Sequence, residues 1–314
     1  MPSARRLPAA LLLAALTLSA CGGTQNSGQD QETSGQDAGF PVTVEDPSGE
    51  VTIESAPKRI VSLSPTATEM LFAVGAGDEV VAADEHSDHP EEAPTTDLSG
   101  FTPSIEAISE YDPDLVVLAR DAEDAAKQLR KVDVPVLLIP AATTLGDAYD
   151  QMRMLGEATG NPDQGAEVAD QVKSDVDAIV EETADEVGDA DLSVYHELDE
   201  AMYSATSDTF IGQVYDRFGL ENIADSAEDA SGGYPQVSAE YVVDRNPDLI
   251  FLAYGGKNVV ESVRERPAFD GVAAVENDGV VKLDADASSR WGPRVVDLAE
   301  SVSDAVTAAA AQEG

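Results

Sequence analysis

The stretch Ile105-Glu106-Ala107-Ile108…Asp112-Pro113-Asp114-Leu115-Val116 returns as Ala239-Glu240-Tyr241-Val242…Asn246-Pro247-Asp248-Leu249-Ile250. In each copy a short helical segment runs into an Asx-Pro pair, which breaks the helix. An apolar run then reads as a buried strand. A chain of 314 residues that carries this unit twice is held to two lobes of one topology.

The surrounding pattern agrees. Val42-Thr43-Val44-Glu45 and Val51-Thr52-Ile53-Glu54 alternate around Asp46-Pro47-Ser48-Gly49 and predict a β-hairpin. Arg59–Leu63, Glu79–Ala83, Asp114–Ala119 and Val134–Ile139 predict strands, with helices through Val74 and from Ala122 to Lys131. Later, Leu192–Glu197, Asp248–Ala253 and Gly279–Leu283 read as strands, Thr209–Phe218 and Pro293–Ala311 as helices. Strands alternating with helices imply parallel sheets covered on both faces. Between the two regions, Ala169, Val172, Val176, Ile179 and Val180 recur at helical spacing, and Leu145–Ala158 also reads as helix, with Gly160-Asn161-Pro162 separating the two. The fold class is therefore α/β: two Rossmann-like lobes with mostly parallel sheets joined by one long α-helix.

The N-terminus addresses the compartment. Arg5 and Arg6 precede an apolar run, Leu7 to Leu18, too short to span a bilayer. It ends in Leu18-Ser19-Ala20-Cys21-Gly22, a pattern like the lipobox of bacterial lipoproteins. Cys21 is the only cysteine, so it is the expected lipid anchor and no internal disulfide is possible. Gly22–Gly39 holds no large apolar side chain and reads as a flexible tether. The expected divisions are a signal peptide (1–20), tether (21–39), N-terminal lobe (40–143), helical spine (144–188) and C-terminal lobe (189–314).

Charge and motifs exclude several function classes. The 61 acidic and 18 basic residues give −43, and loss of Arg5 and Arg6 with the leader takes this to −45. Nucleic acid is excluded as a partner, since a phosphate chain needs a basic face. The chain has no Gly-x-Ser-x-Gly elbow, P-loop, Gly-x-Gly-x-x-Gly after a strand or His-Glu-x-x-His, so an enzyme is not expected. His86-x-x-His89, flanked by Asp84, Glu85 and Asp88, and the separate His196 are possible axial ligands to a bound metal centre, while a loop pair of histidines is equally an exposed one.

Ala56-Pro57-Lys58-Arg59-Ile60-Val61-Ser62-Leu63-Ser64-Pro65, Thr68-Glu69 and the two Pro-Asp-Leu units resemble class III substrate-binding proteins of ABC importers for cobalamin, haem and iron–siderophores. Within that family, Ser64–Glu69, Ser87-Asp88-His89-Pro90, Tyr234-Pro235-Gln236-Val237-Ser238 and Arg290–Arg294 are most similar to the cobalamin-binding branch. The resemblance implies an extracytoplasmic lipoprotein, a monomer held to the cell membrane, that takes a corrinoid, or alternatively haem or a ferric siderophore. It then delivers the ligand to a permease dimer with its ATPase subunits. No cofactor is implied beyond that ligand. The resemblance assigns permease docking to Glu69 and Glu240, although Thr66-x-x-Glu69 also fits a helix capping box. It assigns ligand contacts to His86, His89, Phe101, Arg120, Tyr203, Tyr234 and the segment Asp286–Arg290, with Trp291 and Arg294 opening the last helix. Arg120 or Arg290 would hold an anionic group. Where that branch carries cleft tryptophans, this chain has Gly100, Ala119, Tyr234 and Ala287, which implies a wider or less apolar pocket.

So large a negative charge repels itself in dilute buffer, and about 0.1 M salt screens it within about 10 Å. A saline working environment is the expectation. The melting temperature should rise steadily from low to molar NaCl in a thermal-unfolding series, and a flat series would refute this.

Overall fold

The computed structural model describes residues 39–188 and 190–313. The leader, Cys21 and all of the tether except Gly39 lie outside the described residues. The chain enters through the antiparallel hairpin β1 (Val42–Asp46) and β2 (Gly49–Ile53). Asp46 caps the hairpin by accepting from the Ser48 amide and hydroxyl, and its second oxygen accepts from the Leu138 amide at 2.8 Å. That bond ties the hairpin to the first lobe.

The first lobe follows with β3 (Ile60–Leu63), α1 (Pro65–Ala73), β4 (Val80–Ala83), α2 (Ile105–Ser109), β5 (Leu115–Leu118), α3 (Ala125–Arg130) and β6 (Val136–Leu138). Two helices come next, α4 (Leu145–Thr159) and the 26-residue α5 (Pro162–Val187). The second lobe comprises β7 (Ser193–Glu197), α6 (Phe210–Arg217), β8 (Glu221–Asn222), α7 (Ala239–Arg245), β9 (Leu249–Leu252), α8 (Val259–Arg264), α9 (Ala273–Glu276) and β10 (Val280–Lys282). The last helix, α10 (Val295–Glu313), ends the described chain. Both four-stranded sheets are parallel, ordered β4-β3-β5-β6 and β8-β7-β9-β10. Counted within each lobe, both run second, first, third, fourth. The α/β class and the two parallel lobes expected from the repeat are what the structure contains.

The repeated Pro-Asp unit has a shared physical job. Asp112 and Asn246 both sit at φ 49°, the left-handed conformation that Asx side chains tolerate. The aspartate after each proline then pins the neighbouring strand. Asp114 accepts from the Lys58 and Arg59 amides at the entry to β3. Asp248 accepts from the Ser193 amide and hydroxyl at the entry to β7. The chain carries the same turn twice because the same first-to-third strand junction is made twice.

The spine is a pair of helices. Thr144 and Asp147 form a reciprocal capping box at the start of α4, and Gly160 ends it at φ 83°. Pro162 then starts α5 without losing a needed hydrogen bond. A Cβ on Gly156 would fall 2.7 Å from the Gly165 Cα, so α4 and α5 touch backbone to backbone.

Three expectations change in detail. The helix expected from Ala122 is interrupted, because Glu123 and Asp124 take positive φ and α3 begins only at Ala125. The segments β8, α8 and α9 were not anticipated; each is too short to show a period. The Thr66-x-x-Glu69 capping box does not form. Pro65 occupies the first helical position, so Ser64 is the cap and accepts from the Ala67 amide.

Replacing either pinning aspartate removes two hydrogen bonds whose donors can turn partly to water, at roughly 0.5–1.5 kcal/mol per bond. Urea unfolding of Asp114→Ala, Asp248→Ala and the double variant should give losses that add, since the sites lie in different lobes.

Candidate ligand cleft

Ligands of parallel α/β sheets meet the loops at the carboxyl ends of strands. A cavity of about 440 Å3 lies at those ends of the first sheet. It is lined by Ser64 and Thr66 after β3, by Glu85, His86 and Asp88 after β4, by Phe101 ahead of α2, and by Arg120 after β5. Its remaining wall, Asp286, Ser289, Arg290 and Trp291, comes from the segment after β10 of the second lobe. This volume suits a small-molecule site, for which roughly 300–1,000 Å3 is usual.

Phe101, 57% exposed, lines the cavity. The Arg120 guanidinium lies 4.4 Å from its ring centroid, and His86 meets it edge-on at 5.9 Å. An arginine over a phenyl face keeps its donors free for a ligand while its plane is held by the ring. The loop bearing His86 is fastened from below. Asp84, buried, accepts from the Ser87 hydroxyl at 2.7 Å, and Thr68 of α1 bonds both Ser87 and Ser62. Burial raises the pKa of Asp84, opposed by its bonds to Ser87 and the His86 amide.

On α1 of the same lobe, Glu69 is the hub of an ion cluster with arginines of the second lobe. Its Oε1 receives Arg290 at 2.8 Å and Arg294 at 2.6 Å, and its Oε2 receives Arg294 Nε at 2.9 Å. The bond to Glu69 raises the Arg294 pKa further above its ordinary value. Arg290 also donates to the His86 carbonyl and Asp88, both at 3.2 Å, and pairs with Asp286 at 2.8 Å. Beside them Trp291 donates to Gln151 of α4 at 3.1 Å.

The structure therefore brings His86, Phe101, Arg120, Asp286 and Arg290 together. His89 is exposed on the same loop outside the cavity lining. Tyr203 and Tyr234, 41% and 51% exposed, do not line it either. Tyr234 nevertheless sits ahead of α7 as Phe101 sits ahead of α2. Of the positions compared with tryptophans, Gly100 has no room for any side chain, since a Cβ there would lie 2.5 Å from the Leu63 carbonyl oxygen. Ala119 lines the cavity, and Ala287 is buried.

Two expectations need correction. Glu69 is not an exposed docking carboxylate: its side chain is 2% exposed, enclosed by two arginines of the other lobe. Glu106, at the position of α2 that Glu240 holds in α7, is the exposed first-turn glutamate. The internal repeat already aligned Glu106 with Glu240, and that was the signal to use. His196 does not face the cleft: it is fully buried on β7, with Nδ1 2.6 Å from the Tyr215 hydroxyl. Burial lowers its pKa to about 3, so it is a neutral core residue. Among the described residues no three His, Cys, Asp or Glu side chains converge as a metal site.

At the carboxyl end of β7, Glu197 is buried and receives both terminal nitrogens of Arg266 at 2.6 Å, with the Tyr254 hydroxyl also donating. Local sequence gave no hint of this cluster. It fixes the loop after β9 to the end of β7.

A cavity closed by strand-end loops of two lobes with one topology defines a two-lobed ligand-capturing protein. A family model for periplasmic binding proteins matches residues 60–287. YvrC of Bacillus subtilis (strain 168), an uncharacterized ABC transporter substrate-binding lipoprotein, is 32% identical over 95% of this chain and 95% of its own. The cobalamin-binding protein of Halobacterium salinarum (strain ATCC 29341 / DSM 671 / R1) is 30% identical over 82% of this chain and 72% of its own. The periplasmic vitamin B12 binding protein BtuF of Vibrio cholerae superposes with a TM-score of 0.67 at 27% identity, covering 81% of this chain and 98% of that one. The chain belongs to the periplasmic binding protein family; it is a substrate-binding protein and not an enzyme.

His196 generates a pH prediction. A base neutral in the fold down to pH about 3 but titrating near 6.5 when unfolded contributes stability in full above pH 6.5. That contribution falls by about 1.4 kcal/mol per pH unit below it. Urea unfolding of the protein and of His196→Gln from pH 7 to 4.5 should show the wild-type stability falling more steeply. Parallel curves would contradict the buried neutral state.

Proposed function

We propose that this chain is an extracytoplasmic lipoprotein, anchored through Cys21, that captures a corrinoid in the interlobe cleft and passes it to an ABC importer. The observation that carries this reading is the cavity itself: an aromatic wall with a free guanidinium and an imidazole in the first lobe, faced by a segment of the second. Phe101 offers a flat apolar surface, Arg120 offers donors, and His86 offers an imidazole nitrogen for cobalt. The cobalamin-binding relative and the BtuF likeness support the corrinoid over haem or a ferric siderophore.

For delivery, Glu106 and Glu240 are the matched pair. Each follows a serine cap by two residues, where the helix N-terminus favours a carboxylate, and each is exposed. One such group on each lobe gives a partner two equivalent points of contact. Arginines on the permease dimer are the expected counterpart.

Aquocobalamin titrated into the protein should give a saturable change of its visible bands, which His86→Ala alters. Haemin and ferric citrate serve as comparison arms, and saturation by either of these with none by aquocobalamin would replace the corrinoid reading. In cells, Glu106→Ala with Glu240→Ala should abolish importer-dependent uptake while leaving binding intact.

A further inference from the structure

The segment from Asp284 to Arg294 follows β10 and so belongs by chain to the second lobe, yet its side chains reach the first. Arg294 is committed to Glu69, and Trp291 to Gln151. Arg290 is different, because it divides its nitrogens. One takes Glu69, and the other takes the His86 carbonyl, Asp88 and Asp286. It also lines the cavity, while only 9% of its side chain is exposed. The first-lobe wall that carries His86 is thus held in place by a side chain of the opposite lobe.

An ion cluster that served stability alone would need only Glu69 and the two arginines. The contacts of Arg290 to His86 and Asp88 add nothing to the neutralisation of Glu69. They do set where the loop after β4 stands relative to the strap. A planar, forked guanidinium can hold Glu69 and that loop together; an ammonium reaches one of them.

We propose that Arg290 is a positioning residue for ligand capture: it holds the His86–Asp88 wall at the distance a ligand meets, so that the cavity exists only while the strap 284–294 is docked on Glu69 and Gln151. This rests on the cleft being the capture site. Removing Arg290 leaves Glu69 paired with Arg294, so the fold survives, while the bonds of Arg290 to Glu69, Asp286 and the His86–Asp88 loop are lost and the strap is loosened.

Trp291 is the only tryptophan of the chain and lies on the strap, so its emission reports docking without any ligand. In Arg290→Gln the emission should shift to the red and become more quenchable by acrylamide, while unfolding stays cooperative. Glu69→Gln should move the emission the same way and further, by weakening the hold on both Arg290 and Arg294. Arg290→Lys should not restore the wild-type signal. Aquocobalamin affinity should fall by about tenfold or more in Arg290→Gln. Unchanged emission and quenching in Arg290→Gln would overturn the proposal. If affinity fell all the same, Arg290 would be a direct ligand contact. Full recovery in Arg290→Lys would also overturn it, since charge alone would then suffice. Failure of aquocobalamin to bind the unaltered protein would sink only the corrinoid reading, and the emission arm would still decide the positioning role.

Discussion

Two parallel sheets can exist in water only if both faces of each are covered, and here one apolar core covers the inner faces of both. Along β5, Leu115 and Val117 enter this shared core while Val116 and Leu118 face a smaller cluster with α3. Along β9, Leu249 and Phe251 enter it while Ile250 and Leu252 face a cluster with α7 and α8. Helices α4, α5 and α10 supply the rest of the shared core through Met152, Leu155, Val172, Val176, Leu298 and Val302. The lobes are therefore not beads on a linker. Their carboxyl edges are held at a set separation, and the cleft is the space left between them.

Charge is managed differently inside and outside. Most carboxylates are exposed and repel one another through solvent, which salt screens. Of the buried carboxylates among the described residues, Asp46, Glu69 and Glu197 each meet an arginine, and Asp84 accepts from the Ser87 hydroxyl. Loss of one partner of such a pair costs more than the pair contributes, so these arginines are not interchangeable with surface lysines. Glu69 and Glu197 also stand near strand ends, where they hold loops rather than helices.

Much of this was legible residue by residue. The hairpin, the strands and the spine followed from periods of two and of 3.6, and the two-lobed plan from the Pro-Asp repeat. The errors share one physical origin: a side chain's neighbours in sequence do not say what faces it in space. Thr66 and Glu69 have the spacing of a capping box, but Pro65 moved the helix start, and Glu69 was turned toward arginines more than 200 residues on. His196 was a possible axial ligand by residue type alone, yet both faces of β7 are buried and parity cannot separate cleft from core.

By itself the sequence determined the class of fold, the duplication and the Cys21 signature. These depend on local periodicity and composition, which need no partner in space. Only the tertiary structure decided that Glu69 is an interlobe hub and that Arg290 reaches the His86 wall. Each is a long-range pairing, created when the strap after β10 crosses to the first lobe, and no local pattern encodes which distant charge a buried carboxylate will meet.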